Sequence, residues 1–322
     1  MTAFSHAAIG KQGYGAMGLS HTYGRADDDA SIRTLHRALE LGLTFFDTAN
    51  VYGVGHNEEL LGRAFAGRWD RIVLASKFGN RMPTDPEERD IIGTPGYARR
   101  QVEASLRRLG TDHIDLYYVH RIDTQVPIED TVSDLARLKE EGKIGAIGLS
   151  EAPADLLRRA HAVHPIAALQ SEYSIWERGV EQSVLPTARE LGVLFVAYSP
   201  LGRGFLAGAK PSGPDDRRVA HPRYQPDVMA ANAGRLAALE TIGERLGATV
   251  AQISLAWLIH QQVVPIPGTR HVANLEANVA ANQIVLDAAP LADLEAAFPV
   301  GETAGERFWP QSREHLLSLG LR

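Results

Sequence analysis

Four side chains with acid–base chemistry stand at or just past the ends of short apolar runs: Asp47, Tyr52, Lys77 and His120. A free tyrosine has a pKa near ~10 and is a weak acid at neutral pH. A nearby ammonium favours the phenolate and lowers that pKa, and a buried lysine needs a carboxylate partner to stay charged. We therefore expect Asp47 and Lys77 to make Tyr52 a usable general acid. His120 is expected to donate a hydrogen bond to the same substrate oxygen.

Each of these residues also has a simpler explanation when it is taken alone. Asp47 could cap a loop, and Lys77 could form a surface ion pair. His120 could be a hydrogen-bonded core histidine, and Tyr52 could pack its ring and leave the hydroxyl in water. Convergence at neighbouring strand ends favours the catalytic interpretation, because ionisable groups that are buried together must compensate each other.

The surrounding pattern predicts an α/β fold. Short β-branched or aromatic runs alternate eight times with longer segments of helical period, and the strands are predicted at 13–18, 43–47, 71–77, 114–120, 144–150, 166–172, 193–199 and 263–266. Asn57 is expected to cap the helix after the second strand. Eight such units without a linker predict one domain over residues 1–322, a single (β/α)8 TIM barrel with an extra C-terminal helix and long strand-end loops. The active site of such barrels lies at the C-terminal ends of the strands.

The stretch 13–18, GYGAMG, fits the G-x-G-x-x-G pattern of dinucleotide-binding folds. That fingerprint requires a helix that opens on the last glycine and an acidic residue about 20 residues later. Here a polar loop follows Gly18, and Asp47 lies 29 residues beyond it. The glycines are therefore expected to let a ligand approach the backbone of the first barrel strand.

Composition excludes several classes of function. The 322 residues are 44% hydrophobic and 22% charged, and the formal net charge of −6 provides no basic surface for nucleic acid. Without cysteine there is no disulfide, thiol nucleophile or cysteine-based metal site. His161 and His164 lie one helical turn apart with no third ligand, so no metal site is expected. The absence of a signal-peptide pattern and of a membrane-length apolar run predicts a cytoplasmic protein that does not bind membranes.

The segments that hold the four residues, FFDTANVYG, LASKFG and LYYVHRID, resemble those of the catalytic tetrad in the aldo-keto reductase superfamily. The segments GLSE, LQSEYS, AYSPLGRGFL and PIPGTR follow in the family's order at strand ends. GHNEELLG and RRAHAVHPIAALQSEYSIWERG are most similar to its bacterial and plant branch of perakine-reductase-like and pyridoxal-reductase-like proteins. The resemblance implies NADPH-dependent reduction of an aldehyde or ketone by a monomer or weak homo-oligomer.

The same resemblance implies that NADPH/NADP+ binds without a Rossmann fold. Tyr198 would stack on the nicotinamide, Ser150 and Gln170 would hold its carboxamide, and Met17 and Gly18 would lie near the ribose. Leu201, Gly202 and Arg203 would pass over the pyrophosphate, and Thr269 and Arg270 would receive the 2′-phosphate. Asn274 and Asn278 would lie near the adenine. The resemblance also places Ser199 and Gly268 among the cofactor-binding residues. PIPGTR leads into a helix N-terminus, which favours anions, and a guanidinium suits phosphate.

Three positions depart from the family pattern. Glu151 replaces a common asparagine, and a carboxylate can accept from the carboxamide NH2 but cannot donate to its oxygen. Asn274 and Ala277 replace residues that often hold the adenine end. At the substrate mouth, Tyr23 and Trp176 are candidate contacts.

Two other functions are compatible with parts of this pattern. A redox-sensing regulatory subunit of the same fold would bind the cofactor and turn over slowly, and the intact tetrad argues against it. A barrel aldolase would use Lys77 as a Schiff-base amine. The nicotinamide-contacting segments argue against the aldolase, because it has no use for them.

Overall fold

The computed structural model describes residues 6–20, 22–211, 213 and 215–321. In this part of the chain one sheet holds eight parallel strands in chain order: β1 Tyr14–Gly15, β2 Phe45–Asp47, β3 Val73–Phe78, β4 Ile114–Val119, β5 Ile144–Ser150, β6 Ala168–Glu172, β7 Leu194–Tyr198 and β8 Val264–Pro265. The N–H of Gly13 donates to Pro265 O (3.0 Å) and that of Gly15 to Pro267 O (3.5 Å). These bonds connect β8 to β1, so the predicted barrel is confirmed.

Most helices of the described residues connect successive strands on the outside of the sheet, whereas the first helix precedes β1 and the last three follow β8. The helices are α1 His6–Ile9, α2 Asp28–Glu40, α3 His56–Phe65, α4 Pro95–Leu109, α5 Ile128–Glu140, α6 Ala154–Val163, α7 Val184–Glu190, α8 Pro226–Leu246, α9 Val250–His260, α10 Val272–Ala280, α11 Ala288–Ala297 and α12 Pro310–Ser318. The predicted limits of α2 are explained by its caps: the side chain of Asp27 accepts from Ala30 N (2.7 Å), and Gly42 follows the helix at φ 87°.

The buried residues form two main layers. Alternate strand residues point into the barrel, where Phe45, Leu116 and Tyr118 belong to one apolar cluster with Ile9 of α1. The intervening residues, such as Phe46, pack outward against the helices in a larger cluster. Because Ile9 shares the inner cluster, α1 covers the end of the barrel opposite to the predicted site.

Two local predictions are wrong. The first strand covers only Tyr14–Gly15, and the chain then forms a 3₁₀ turn over Ala16–Leu19. Asn57 does not cap α3, which begins at His56 after Gly55 in the left-handed region (φ 93°). The Asn57 side chain is buried instead and donates to Ala16 O (2.9 Å) and Ser20 Oγ (2.7 Å). It therefore ties the loop after β2 to the loop after β1.

No helix among the described residues combines the length and the apolar character that crossing a membrane requires.

Barrel closure depends on backbone contact at Gly15. A Cβ added there would lie 2.6 Å from Ile266 O, a backbone atom that cannot move without opening the β1–β8 contact. We expect Gly15→Ala to lower the free energy of unfolding by ~1–3 kcal/mol, measured by urea denaturation. Gly234 in α8 is the matched control, because a Cβ there meets nothing within 4 Å and Gly234→Ala should stabilise by ~0.5–1 kcal/mol. Equal effects of the two substitutions would contradict close packing at Gly15.

Candidate active site

A buried ion pair stands at the C-terminal ends of β2 and β3. The ammonium of Lys77 donates to Asp47 Oδ1 and to Thr48 O (2.8 Å), and Gln170 Nε2 from β6 donates to the second oxygen of Asp47 (2.8 Å). The side chains of Lys77 and Asp47 are 0% and 3% exposed. Burial raises the pKa of Asp47 and lowers that of Lys77, and their mutual attraction opposes both shifts. The predicted pairing is present, and each charge has hydrogen-bonding partners.

Tyr52 lies beside this pair in a 3₁₀ turn that follows β2. Lys77 Nζ is 5.2 Å from the centroid of its ring, and the ring meets that of His120 edge to face with centroids 5.8 Å apart. The four predicted catalytic residues therefore come together at one end of the barrel.

The pKa of Tyr52 moves in the direction opposite to the prediction. Burial raises it above the ordinary value, the charge of Asp47 raises it further, and Arg121 and Arg203 oppose the shift. The prediction that Lys77 lowers the pKa of Tyr52 is therefore wrong. Asp47 neutralises the ammonium of Lys77, and burial removes water from the phenol. Tyr52 is therefore protonated at neutral pH, which is the form that a general acid requires.

His120 follows β4, and its backbone N–H donates to Phe78 O (2.6 Å). Burial lowers the pKa of the imidazole well below its ordinary value, and Arg121 and Lys77 lower it further, so the ring is neutral at pH 7. Nδ1 lies 3.3 Å from Asn80 Nδ2. If the amide of Asn80 donates to Nδ1, the ring proton resides on Nε2, and the ring can donate from that nitrogen. Sequence reasoning missed Asn80, a polar residue three positions after Lys77.

The predicted nicotinamide residues stand on adjacent strands. Ser150 at the end of β5 pairs with Gln170 of β6, and Glu172 of β6 pairs with Tyr198 of β7. Tyr198 is partly exposed at the mouth, as the stacking prediction requires. Gln170 holds Asp47 as well, a contact that was not predicted. A guanidinium N–H of Arg121 donates to His120 O (2.7 Å) and lies 3.4 Å from Ser150 Oγ, so Arg121 bridges the two groups.

Backbone strain is concentrated at this end of the barrel. Five non-glycine residues in the described part of the chain have φ in the left-handed region, and four of them follow the C-terminal ends of strands: Val54, Glu151, Ser199 and Arg203. Each such conformation costs of order ~1–3 kcal/mol and persists only where the surroundings impose it. The loops of the predicted site are therefore held in defined conformations.

The loop after β7 contains Leu201, Gly202 and Arg203, the predicted pyrophosphate residues. The side chain of Arg203 is 10% exposed, and its guanidinium lies 3.3 Å from Glu172 Oε2 and over the ring of Trp309 (5.8 Å). Trp176 lies beneath this loop, 3% exposed and packed against Phe205. The prediction that Trp176 lines the open mouth is therefore not supported.

At the other side of the mouth, Met17 and Gly18 are partly exposed in the turn after β1, and the Tyr23 ring lies 3.5 Å from the position of a Cβ on Gly18. Arg218 lies over the Tyr23 ring (5.1 Å). Tyr23 is itself partly exposed. The predicted ribose contacts and the predicted substrate contact at Tyr23 are therefore accessible in this structure.

The predicted phosphate residues Gly268, Thr269 and Arg270 lie between β8 and α10. Arg270 donates to the carbonyls of Tyr23 (2.9 Å), Gly24 (3.1 Å) and Arg25 (2.6 Å) and thereby holds the loop after β1. Thr269 Oγ1 accepts from His271 N (3.1 Å). In α10, Asn274 is exposed and Asn278 is buried. Arg270 thus combines a contact with its neighbouring loop and a position beside a helix N-terminus.

Breaking the central ion pair tests its burial. Lys77→Met leaves the Asp47 carboxylate without its cation and should lower the free energy of unfolding by about 3–5 kcal/mol. The double variant Asp47→Asn/Lys77→Met should be more stable than Lys77→Met, because both charges are removed. Lys143→Met is the control: its ion pair with Glu103 is partly exposed (27% and 40%), so the loss should stay below about 1 kcal/mol. Urea denaturation measures all three, and a Lys77→Met loss as small as that of the control would contradict burial of the pair.

Comparison with known proteins agrees with this geometry. Residues 11–298 match the Aldo/keto reductase family. A Glycine max protein named probable aldo-keto reductase 1 is 43% identical over 308 residues, 94% of this chain and 89% of its own. The glycerol dehydrogenase structure from Gluconobacter oxydans has a TM-score of 0.81 and 27% identity over 94% of both chains. The aldo/keto reductase from Klebsiella pneumoniae, solved with NADP and acetate, has a TM-score of 0.73 and 28% identity over 91% of this chain and 93% of its own.

These matches confirm the predicted superfamily and the predicted oxidoreductase class. Three of the segments that carry the resemblance, FFDTANVYG, LASKFG and LQSEYS, supply Asp47, Lys77 and the Gln170 that bonds to Asp47. The chain belongs to the Aldo/keto reductase family.

Proposed function

We propose that this protein reduces a small aldehyde or ketone to the alcohol, with NADPH as the hydride donor and Tyr52 as the general acid. The observation that carries the proposal is the assembly of protonated Tyr52 and neutral His120 around the buried Asp47–Lys77 pair. The complex of the Klebsiella pneumoniae relative with NADP supports the choice of cofactor.

The residues at the mouth fit a nicotinamide dinucleotide. Tyr198 presents a partly exposed ring for stacking, and Glu151 Oε2 is a buried acceptor without a hydrogen-bond partner among the described residues. Arg270, close to the N-terminus of α10, supplies positive charge for a phosphate. Together these groups provide a stacking surface, a carboxamide partner and an anion site.

Each residue of the tetrad has a separate task. When bound, NADPH supplies the hydride. Tyr52 donates its hydroxyl proton to the carbonyl oxygen, which becomes the alcohol. His120 donates a hydrogen bond from its neutral ring to the same oxygen and fixes the orientation of the carbonyl. After the proton leaves, the positive charges of Arg121 and Arg203, which oppose the rise in the pKa of Tyr52, stabilise the phenolate.

The structure argues against the aldolase alternative. A Schiff-base lysine must reach the substrate carbonyl with a free amine. The side chain of Lys77 is 0% exposed, and its ammonium is bound to Asp47 and Thr48. Turnover of a panel of aldehydes, ketones and pyridoxal with NADPH, followed at the nicotinamide absorbance, tests the reductase. NADPH binding without turnover of any carbonyl compound would favour the slow regulatory subunit instead.

Replacement of the acid tests its role directly. Tyr52→Phe removes the proton donor and keeps the ring, so we expect kcat to fall by about 10²–10⁴ while the Kd for NADPH barely changes. Steady-state kinetics and fluorescence titration measure the two quantities. Retention of more than half of the activity would exclude Tyr52 as the general acid.

Replacement of Arg270 tests the choice between NADPH and NADH. A charge-assisted hydrogen bond contributes about 1.5–3 kcal/mol, so Arg270→Ala should weaken NADPH by about tenfold to hundredfold through loss of the phosphate contact. Loosening of the loop that holds Tyr23 affects both cofactors, so the informative quantity is the difference between the losses for NADPH and NADH in fluorescence titrations. Equal losses would show that Arg270 serves only the loop.

A further inference from the structure

The C-terminal segment, residues 299–309, lies beyond the residues that match the family and brings one cation into the barrel mouth. The guanidinium of Arg307 donates to Glu151 Oε1 (2.5 Å), and its Nε lies 3.5 Å from Glu172 Oε2. The side chain of Arg307 is 5% exposed, and those of Glu151 and Glu172 are 1% and 4% exposed. This is a buried ionic contact between the end of the chain and the ends of β5 and β6.

The segment reaches this position along a defined path. Thr303 Oγ1 donates to Trp176 O (2.5 Å), Ala304 N donates to Asn232 Oδ1 (3.1 Å), and the carbonyl of Gly305 accepts from Arg223 (3.2 Å). On the other side of Arg307, the ring of Trp309 packs edge to face on His221 with centroids 4.5 Å apart. Arg307 is therefore presented by a segment that is anchored both before and after it.

The charges of this cluster balance. Glu172 lies within 3.5 Å of both Arg203 and Arg307, and Glu151 contacts Arg307, so two carboxylates meet two guanidinium groups. Although burial raises the pKa of Glu172, the two guanidinium groups hold it below its ordinary value. Removal of Arg307 would leave one buried carboxylate without a cation, which is unfavourable at this depth.

Glu151 is held through only one of its oxygens. Its Oε1 accepts from Arg307 and from Glu172 N (2.9 Å), whereas Oε2 is buried and has no partner among the described residues. The residue directly follows Ser150, its φ of 52° is in the strained region, and its N–H donates to Gln170 O (2.9 Å). An oriented carboxylate, with one oxygen unpartnered in the described part of the chain, thus belongs to the residue that follows Ser150 in the chain and that bonds to Gln170 through its backbone; Ser150 and Gln170 are the two residues predicted to hold the carboxamide.

We propose that Arg307 is a positioning residue for the nicotinamide end of the cofactor site, and that it orients Glu151 so that Oε2 accepts a hydrogen bond from the carboxamide NH2. A carboxylate has acceptors only, so the NH2 is the part of the carboxamide that it can bind. The contacts of Arg307 are with Glu151 and Glu172, so the role assigned to it runs through Glu151. The assignment rests on the proposed function, because it requires a nicotinamide beside Tyr198.

Two ligands separate this role from a general structural one. NADPH contains both ends of the cofactor, whereas 2′,5′-ADP keeps the adenine and the 2′-phosphate and lacks the nicotinamide. We expect Arg307→Met to weaken NADPH by about tenfold to hundredfold, because an oriented hydrogen bond to a charged group is lost. Binding of 2′,5′-ADP should stay within about twofold of the unmodified protein. Calorimetric titration of both ligands measures these Kd values, and thermal unfolding checks that each variant is folded.

A double-mutant comparison tests the route through Glu151. In the Glu151→Gln variant the side chain at this position is neutral and needs no counter-charge. Adding Arg307→Met to that variant should therefore weaken NADPH binding much less than Arg307→Met weakens it in the unmodified protein. Arg313→Met is the matched control: Arg313 lies in α12, six residues later, is 50% exposed and pairs with Glu306. Its NADPH affinity should be unchanged. If Arg307→Met fails to fold, Arg307→Lys retains a cation for Glu151 and should keep most of the NADPH affinity.

The outcomes distinguish the assignment from the function on which it rests. Equal weakening of NADPH and 2′,5′-ADP by Arg307→Met would show a structural role and overturn the assignment. An unchanged NADPH affinity, or the same loss in the Glu151→Gln background, would also overturn it while leaving the proposed reductase intact. Failure of the unmodified protein to bind NADPH would overturn the proposed function and this assignment together.

Discussion

The ion pair between Asp47 and Lys77 is the constraint on which the arrangement of the mouth depends. Two nearly inaccessible charges are tolerated only when each also has hydrogen-bonding partners, here Thr48 O for the ammonium and Gln170 for the carboxylate. Gln170 comes from β6, which is far from β2 in the order of the sheet. Its hydrogen bond to Asp47 therefore forms only when the barrel is closed. Closure of the sheet and neutralisation of the site are therefore coupled, and the phenol beside the pair stays protonated.

The loops around this pair are held by side chains that cross from one strand end to another. Asn57 connects the loop after β2 to the turn after β1, and Arg270 holds the loop at residues 23–25 from the end of the neighbouring strand β8. At Arg203, whose φ is in the left-handed region, the carbonyl accepts from Arg218 (3.2 Å) and from Tyr224 (3.0 Å), and these bonds help to hold the strained conformation. Glycine supplies the same conformation at Gly202 and Gly204, on either side of Arg203.

A second buried ionic cluster, formed by Glu151, Glu172, Arg203 and Arg307, stands next to the first. It joins the loop after β7, the ends of β5 and β6, and the C-terminal segment, so the predicted nicotinamide and pyrophosphate regions share one charge network. Because the network is neutral as a whole, the cost of burying each carboxylate is offset only while all four side chains are present. The end of the chain is thus part of the wall of the site.

The sequence by itself determined the barrel and the four tetrad candidates. Hydrophobic period and the alternation of strand and helix are local properties, and parallel strands bring their C-terminal residues to one face whatever their distance along the chain. Only the tertiary structure decided that the pKa of Tyr52 is raised. It also decided which distant residues meet: Gln170 contacts Asp47 across 123 residues of sequence, and Arg307 contacts Glu151 across 156. These depend on depth of burial and on which distant groups compete for one acceptor, and neither quantity is encoded in local spacing.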